Sequence, residues 1–272
     1  MAVLLASAQA MATPVTYVNI KEVTVGAGQH GRAGATCNSS SHKVVGGGWT
    51  SPNGKVFFDE NYPLEDSSHR ITKWRVGAKN MTNKSVKIRS YVVCLTHAAS
   101  ATSYLRRVNG VSVPNGSGRT ATPECRANGY VSGGGFYSTT RDSRFLPVVS
   151  RPASNTRWET TYENATGGTK SFDAYAVCVE GLTGTFSTEP GPKAWVGAGY
   201  MGPEEEPAVC GTGTIALGGG YEYNLHIHND PGVAFINRSY PIDVDRSWLT
   251  EVSNYSTNLD RIGSYIRCFK QR

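Results

Sequence analysis

Six cysteines, arranged as three pairs, divide this chain into three copies of one unit. The first cysteine of each pair recurs at intervals of 88 and 85 residues, and the same landmarks follow it in the same order. A repeat of this period predicts the architecture before any local pattern is considered, because each copy is expected to fold in the same way. The pairs are Cys37 and Cys94, Cys125 and Cys178, and Cys210 and Cys268.

A glycine triplet and a rigidly spaced stretch recur inside each copy. An asparagine, a tyrosine and the closing cysteine follow one tryptophan by 6, 17 and 20 residues in every copy, without an insertion. Apolar residues alternate with polar ones here, and β-branched and aromatic residues are common, which predicts a β-hairpin. The recurring residues are the central glycines Gly47, Gly134 and Gly219, the tryptophans Trp74, Trp158 and Trp248, and the asparagines Asn80, Asn164 and Asn254.

These recurring residues are predicted to have structural roles. A strand seldom contains three consecutive glycines unless another backbone or a ligand approaches closely. Because a packing requirement must be met in every copy, we expect the glycines to lie where backbones meet rather than in a ligand site. The tryptophans begin the apolar face of the hairpin and are predicted to lie in the core. The asparagines are expected to bond to backbone atoms in the turn.

The chain is predicted to be all-β, with three homologous small antiparallel β-sandwich-like repeats packed around a pseudo-threefold axis. Each copy contains several short alternating segments, and no segment shows a sustained helical period. Residues 1–13 are expected to be an export-signal remnant or a disordered start, followed by repeats at 14–98, 99–182 and 183–272. The alternative is an arrangement of the copies as beads on a string.

The cysteines are predicted to form disulfides, and pairing within each copy is the simplest arrangement. The chain has no Cys-x-x-Cys pair, which is the close spacing typical of zinc sites. Disulfides imply an oxidising compartment, so we expect a protein that is secreted or lies at an extracellular surface, including that of a virion. Residues 1–10 resemble the back half of a signal peptide. No apolar stretch reaches the ~20 residues of a membrane span.

The net charge of +6 comes from lysines and arginines that are scattered along the chain. Scattered basic residues favour a solubilising surface over a specific nucleic-acid site. The sequence also lacks the nucleophile-elbow, zinc-protease, phosphate-loop and dinucleotide-binding motifs. We therefore expect no catalytic residues, no cofactor and no metal centre.

Candidate ligand-binding residues lie where the copies differ, mainly in the long third loop at 222–235. Function concentrates in loops that a rigid scaffold presents. His226 and His228 would share one face of a strand, where Asp230 could complete a metal site, but an exposed polar hairpin explains them better. The predicted ligand-binding residues are Tyr221, Tyr223, His226, His228 and Asp230.

The order of the landmarks also resembles a known repeat. The segments 44–49, 74–80 and 91–94 read Val-x-Gly-Gly-Gly-aromatic, Trp-x-Val-x-x-x-Asn and Tyr-x-x-Cys, and the third copy matches again at 217–221, 248–254 and 265–268. This pattern resembles repeats of actinobacterial secreted proteins and of phage tail-fibre or collagen-like fibre tips. The resemblance covers nearly the whole chain after residue 14 and implies an extracellular, non-catalytic β module.

Three functions are compatible with these features. We expect first a non-catalytic extracellular recognition or adhesion protein that binds a glycan or another cell-surface ligand, because tyrosines and asparagines suit sugar stacking and hydrogen bonding. The alternative is a structural component of a virion, tail fibre or surface filament, bound to copies of itself or to other subunits. A secreted metal-dependent hydrolase that uses His226, His228 and Asp230 ranks last.

Overall fold

The fold is known from a computed structural model that describes residues 13–52, 54–197, 206–224, 234–243, 246–255 and 260–272. Within these ranges the chain forms β-strands joined by turns, with no helix. The described residues accordingly include no helix that is long and apolar enough to cross a membrane. The prediction of an all-β fold built from three similar units is confirmed.

Each copy contributes six of the described strands. The first copy forms β1 (Val15–Val25), β2 (His30–Thr36), β3 (Lys43–Thr50), β4 (Val56–Glu65), β5 (Ile71–Asn80) and β6 (Val86–Thr96). The second forms β7 (Thr102–Val113), β8 (Ser117–Ala121), β9 (Tyr130–Tyr137), β10 (Phe145–Pro152), β11 (Trp158–Asn164) and β12 (Lys170–Glu180). The third forms β13 (Gly184–Val196), β14 (Ala208–Val209), β15 (Ile215–Asn224), β16 (Ala234–Asp243), β17 (Ser247–Asn254) and β18 (Asp260–Gln271).

The strands form three antiparallel six-stranded sheets, and each sheet is shared between two copies. The first sheet has the order β1-β6-β3-β16-β17-β14, the second β2-β5-β4-β9-β12-β7, and the third β13-β18-β15-β10-β11-β8. Copy one therefore shares sheets with copies two and three, and those two share the third sheet. This cyclic exchange closes the copies into a ring about a pseudo-threefold axis. The copies are neither beads nor self-contained sandwiches, because half of every sheet comes from a neighbour.

The two halves of each sheet meet along a short junction. In the second sheet, strand β4 of copy one pairs with β9 of copy two only at Glu60–Tyr137 and Asn61–Phe136. The equivalent pairs in the other sheets are Val149–Glu222 with Ser150–Tyr221, and Arg238–Thr50 with Ser239–Trp49. Each junction includes the glycine-triplet strand of one copy. The glycines therefore lie where copies meet.

The first glycine of each triplet faces the pseudo-threefold axis. A Cβ atom on Gly133 would lie 2.8 Å from the Cα of Gly46, and one on Gly46 would lie 2.9 Å from the Cα of Gly218. A Cβ atom on Gly218 would in turn approach Gly133, at 3.3 Å from its Cα. The three backbones thus meet in a ring, with no room for side chains. This is the close backbone approach expected from the sequence.

The central glycine of each triplet lies against the tryptophan of its own copy. A Cβ atom on Gly134 would lie 2.4 Å from the indole ring of Trp158, and Gly47 and Gly219 are placed in the same way. The Nε1 atom of Trp158 donates a hydrogen bond to the Ser150 hydroxyl at 3.0 Å, so this ring is both packed and oriented. The corresponding tryptophans, Trp74 and Trp248, are equally buried and donate to Asn61 and Ser239.

The aromatic residues after the triplets form the centre of the core. The rings of Phe136 and Tyr221 each lie 5.7 Å from that of Trp49, edge to face, and all three side chains are buried. The polar atoms of these three side chains are satisfied, because the Tyr221 hydroxyl donates to the carbonyl of Pro147 at 2.8 Å and Nε1 of Trp49 donates to the carbonyl of Ile236 at 3.0 Å. Three different aromatic residues thus fill one shared position around the axis.

The repeated asparagine ties the hairpin turn to the rest of its copy. The Nδ2 atom of Asn80 donates to the carbonyls of Val25 and Lys84, while its Oδ1 accepts from the amide of Thr82. Asn164 makes the matching bonds to Val113 and Gly168. The predicted backbone role of these asparagines is confirmed.

The three disulfides pair the cysteines within each copy, as the sequence predicted. Each bridge joins the start of the glycine-triplet segment to the closing strand, with Cα atoms 5.7 to 5.8 Å apart. The described residues contain no free cysteine. This cysteine chemistry fits an oxidising compartment.

Candidate functional site

Two of the predicted ligand-binding residues are buried. Tyr221 belongs to the central aromatic cluster, and the Tyr223 side chain is only 2% exposed and donates a hydrogen bond to Asp260 at 2.7 Å. Neither ring can offer a face to a ligand, so their assignment to a binding site is corrected. His226, His228 and Asp230 lie outside the described residues.

An exposed aromatic ring lies on the outer face of the third sheet. Trp195 on β13 is 58% exposed, whereas the other four tryptophans are buried. The guanidinium of Arg261, its partner on β18, lies 4.9 Å from the ring centroid. The matching strand positions in the other copies hold Thr24 and Ser112, so this feature belongs to the third copy. Trp195 is therefore not a core residue of the repeated scaffold.

A network of charged side chains lies beside this tryptophan. The carboxylate of Glu222 lies 3.1 Å from the Lys193 ammonium and 3.5 Å from Nε of Arg151, and it accepts a hydrogen bond from the Tyr265 hydroxyl. Burial opposes ionisation of Glu222, but Tyr265, Lys193 and Arg151 outweigh it and lower the pKa of that carboxyl. Glu222 is thus held as a carboxylate in a fixed position.

The network crosses a junction between copies. Arg151 comes from copy two, whereas Glu222 and Lys193 come from copy three, and the shared third sheet brings them together. Arg151 also lies 4.9 Å from the Tyr265 ring centroid and 3.1 Å from the Glu159 carboxylate. We call the surface formed by Trp195, Arg261, Lys193, Glu222 and Arg151 the Trp195 face.

The Trp195 face combines an aromatic platform with fixed polar groups. Lys193, Glu222, Asn224 and Arg261 line a small depression of about 50 Å³ beside the ring. Ammonium, guanidinium and amide groups donate hydrogen bonds, and the carboxylate and amide oxygens accept them. The face can therefore bind a ligand that has both apolar C–H surface and hydroxyl groups. The depression is too small to enclose such a ligand, which would lie across the sheet.

A second departure from the repeat is a buried cluster of ionisable groups in copy one. Nε2 of His30 lies 2.9 Å from Oδ1 of Asp59 and 4.0 Å from Oε1 of Glu60. Asp59 lies at a bulge in β4, and its Oδ2 atom is buried without a hydrogen-bond partner among the described residues. The matching positions in the other copies hold Val148 and Asn237, so the acid is not part of the scaffold.

The ligand atoms of His30, Asp59 and Glu60 are close enough together to hold a metal ion. Their surroundings argue against one, because Nε of Arg32 donates to both carboxylate oxygens of Glu60 at 2.8 and 2.9 Å. Nε of Arg141 lies 4.0 Å from Oδ2 of Asp59. The two guanidinium groups already balance the two carboxylates, so a dication would meet repulsion. The arrangement fits a buried ionic network better than a metal centre.

Replacing Asp59 with asparagine is expected to stabilise the protein at neutral pH. Burial raises the pKa of the Asp59 carboxyl, against a hydrogen bond from His30 that lowers it. Because the folded-state pKa is the higher one, stability is lost as the pH rises from the unfolded-state value through the folded-state value. The amide carries no charge and avoids that loss, and the third copy already holds Asn237 at this position.

Urea unfolding of the wild type and Asp59→Asn across pH 4 to 8 measures this effect. The stability difference should grow as the pH rises. A variant that is less stable than the wild type at neutral pH would contradict a net cost of burying the Asp59 charge, and a wild type that added Zn²⁺ stabilises would contradict the ionic-network interpretation.

The sequence contained a signal for each of these features. Trp195 is the one tryptophan that occupies none of the repeated landmarks, and Asp59 with Glu60 are adjacent acids in a stretch that is otherwise apolar. Comparisons with known proteins add no further assignment: no protein-family model matches the chain, and no curated protein is similar to it. The resemblance to secreted and fibre-tip repeats therefore stays a prediction.

Proposed function

We propose that this protein is a non-catalytic extracellular recognition protein that binds glycans on the Trp195 face. The observation that carries the proposal is Trp195, a tryptophan 58% exposed on a sheet whose one other tryptophan, Trp158, is buried in the core. Tryptophan is enriched at binding surfaces, because its indole combines a large apolar face with an N–H donor. The three disulfides fit secretion or display at a cell or particle surface.

Glycans match the chemistry of this face. The C–H side of a pyranose ring can pack on an indole, which has a large apolar surface and a polar N–H group. The hydroxyl groups of the sugar can then accept from Lys193, Arg261 or Arg151 and donate to Glu222, each of which is fixed on a strand. A purely apolar ligand would remove water from these charged groups without replacing its hydrogen bonds, which costs free energy.

The scaffold favours binding because it holds these groups in place beforehand. Trp195 and Arg261 are partners in the pairing of β13 with β18, and Glu222 bridges β15 to β10 through Arg151. Groups held by paired strands lose little freedom when a ligand binds, so less of the interaction energy is spent on ordering. An extended glycan could lie along the sheet.

Replacing Trp195 with alanine is expected to remove most glycan binding while the fold is kept. The side chain is largely in water, so its loss creates no cavity in the core. Ile20→Ala on β1 is the matched control, because Ile20 is 57% exposed on another sheet. Glu222→Gln tests the polar half of the face and should weaken binding while leaving the aromatic platform in place.

The measurement is a glycan array followed by titration of the best ligand into each variant. We expect Trp195→Ala to lose at least about tenfold in affinity, equivalent to roughly 1.4 kcal/mol, and Ile20→Ala to match the wild type. An array without any bound glycan, or equal binding by Trp195→Ala and the wild type, would argue against the proposal.

The ring of three copies favours a second candidate, a structural component of a virion, tail fibre or surface filament. The cyclic sharing of sheets gives one chain the approximate symmetry of a trimer. Such a chain could cap a threefold fibre, since closed symmetry favours matched symmetric contacts. Particle images that show the chain at a fibre tip would support this role.

A further inference from the structure

A groove lies at the end of the molecule where the disulfides and the links between copies are found. Three adjoining pockets of about 470, 440 and 480 Å³ form it. The first two pockets share His42 and Lys43, and the last two share His97, Ala98 and Ala99. The pockets together run from Arg70 past Lys43 to the link between copies one and two. We call this feature the cysteine-end groove.

The first pocket is open because two filling residues are missing at this junction. At the junction of copies two and three, Tyr130 and Phe186 stack face to face with ring centroids 4.1 Å apart. The equivalent positions at the junction of copies one and two hold Lys43, three residues before its glycine triplet, and Ser103, paired with the residue after the closing cysteine. Lys43 and Ser103 line the open pocket. The stacked aromatic pair at the junction of copies two and three is thus replaced by a lysine and a serine at the junction of copies one and two.

The second junction is closed further by a buried arginine. The guanidinium of Arg267 lies over the Phe186 ring and donates to the carbonyl of Val131 at 2.8 Å. Copy two has Val177 at the matching position, one residue before its closing cysteine. The pocket beside Lys43 therefore lacks all three groups that fill its counterpart. The difference between the open and the filled junction follows from the residue types at these three positions and does not depend on a loop conformation.

The lining of the groove is basic and rich in hydroxyl groups. Lys43, Arg70, His42 and His97 line it together with serine and threonine side chains, and no aspartate or glutamate is among the described lining residues. Arg70 is paired with Asp66 at 2.9 Å, but Lys43 has no acidic partner in the described part of the chain. Lys43 lies where two pockets adjoin, so its charge is available to a ligand in either.

We propose that the cysteine-end groove binds the acidic groups of an anionic polysaccharide, either carboxylate or sulfate. Three consecutive pockets suit a chain with repeated units better than a single small molecule. An unpaired lysine supplies the charge attraction, and the hydroxyl groups supply hydrogen bonds to sugar or acid oxygens. Each pocket is within the size range of ligand sites in proteins. The groove is separate from the Trp195 face, so the two proposals can fail independently.

The test is a titration of three oligosaccharides of equal length into the wild type: one carrying sulfate groups, one carrying carboxylates and one uncharged. We expect at least one acidic oligosaccharide to bind, the uncharged one to bind at least about tenfold more weakly, and the acidic affinity to fall at high salt. Comparison of the sulfated and carboxylated ligands identifies the acidic group. Equal binding of charged and uncharged oligosaccharides would overturn the proposal, as would stronger binding of single-stranded DNA of matched charge.

Charge reversal locates the site. Lys43→Glu should lose at least about tenfold in affinity for the acidic oligosaccharide, because it places a carboxylate between two pockets. Lys170→Glu is the matched control, since Lys170 is also half-buried and has no ion pair among the described residues, but begins β12 at the opposite end of the hairpin strands. Arg70→Gln, at a side chain 64% exposed, gives a second variant if Lys43→Glu folds poorly. Equal losses in Lys43→Glu and Lys170→Glu, or none in Lys43→Glu and Arg70→Gln, would refute the groove as the site.

Discussion

Substituting Gly135 with alanine is expected to prevent the protein from folding. Gly135 is the third glycine of its triplet, and a Cβ atom there would lie 1.8 Å from the carbonyl oxygen of Asn61 in the neighbouring copy. The Asn61 carbonyl is backbone of the two-residue junction in the second sheet, and a Cβ is held rigidly by the Gly135 backbone next to that junction, so no side-chain rotation can make room. Relief of the clash requires the two copies to separate, and separation breaks the ring.

Gly168→Ala provides the matched control. A Cβ atom at Gly168 would meet no heavy atom within 4 Å, so the same glycine-to-alanine substitution should change the stability little there. We expect Gly168→Ala to express and melt like the wild type, and Gly135→Ala to be insoluble or to lack a cooperative thermal transition. A soluble Gly135→Ala protein with a melting temperature close to that of the wild type would show that the junction is looser than described.

Removing the bridge between Cys125 and Cys178 is expected to lower the free energy of unfolding by roughly 4 kcal/mol. The two cysteines are 53 residues apart, and closing a loop of that length restricts the unfolded chain strongly. Both residues also pack with Trp158 in a small buried cluster, so their replacement by alanine loses apolar contacts as well. This effect is a large part of the total stability of a typical domain.

Urea unfolding of the Cys125→Ala/Cys178→Ala variant, followed by fluorescence and circular dichroism, measures the loss. We also expect one cooperative transition in both proteins, since each sheet needs strands from two copies. The double variant with Ser67→Ala and Ser68→Ala, at exposed positions, controls for the number of substitutions. Three separate transitions, or a stability loss near zero, would contradict the shared-sheet architecture or the role of the bridge.

Much of the scaffold could be predicted from the repeat itself. Rigid spacing from Trp158 to Cys178 predicted the β11–β12 hairpin, and the glycines were expected to lie where backbones meet. The sharing of sheets could not be predicted in this way. Strand β4, which contains Asn61, has the same pattern of side chains whether it pairs with a strand of its own copy or with one of a neighbouring copy. The side-chain pattern of a strand does not show which neighbouring strand its backbone is hydrogen-bonded to.

The candidate sites could be predicted from the sequence only in part. Tyr221 was assigned to a ligand although it follows its glycine triplet as Trp49 and Phe136 follow theirs, and the repeat alone argued for a core position. Trp195 occupies none of the repeated positions, so the sequence alone distinguishes it from the four core tryptophans. Its neighbours could not be identified, because Arg151 is far from it along the chain and belongs to another copy.

The sequence by itself determined the number of copies, the pairing of the cysteines and the rigid hairpins, because these depend on covalent bonds and on spacing within one copy. Only the tertiary structure decided which copies share a sheet, and therefore which side chains meet at a junction. That choice depends on how the three glycine triplets pack backbone to backbone around the axis. The same choice brings Arg151 to Glu222 on one face and leaves the pocket beside Lys43 open at the end of the molecule.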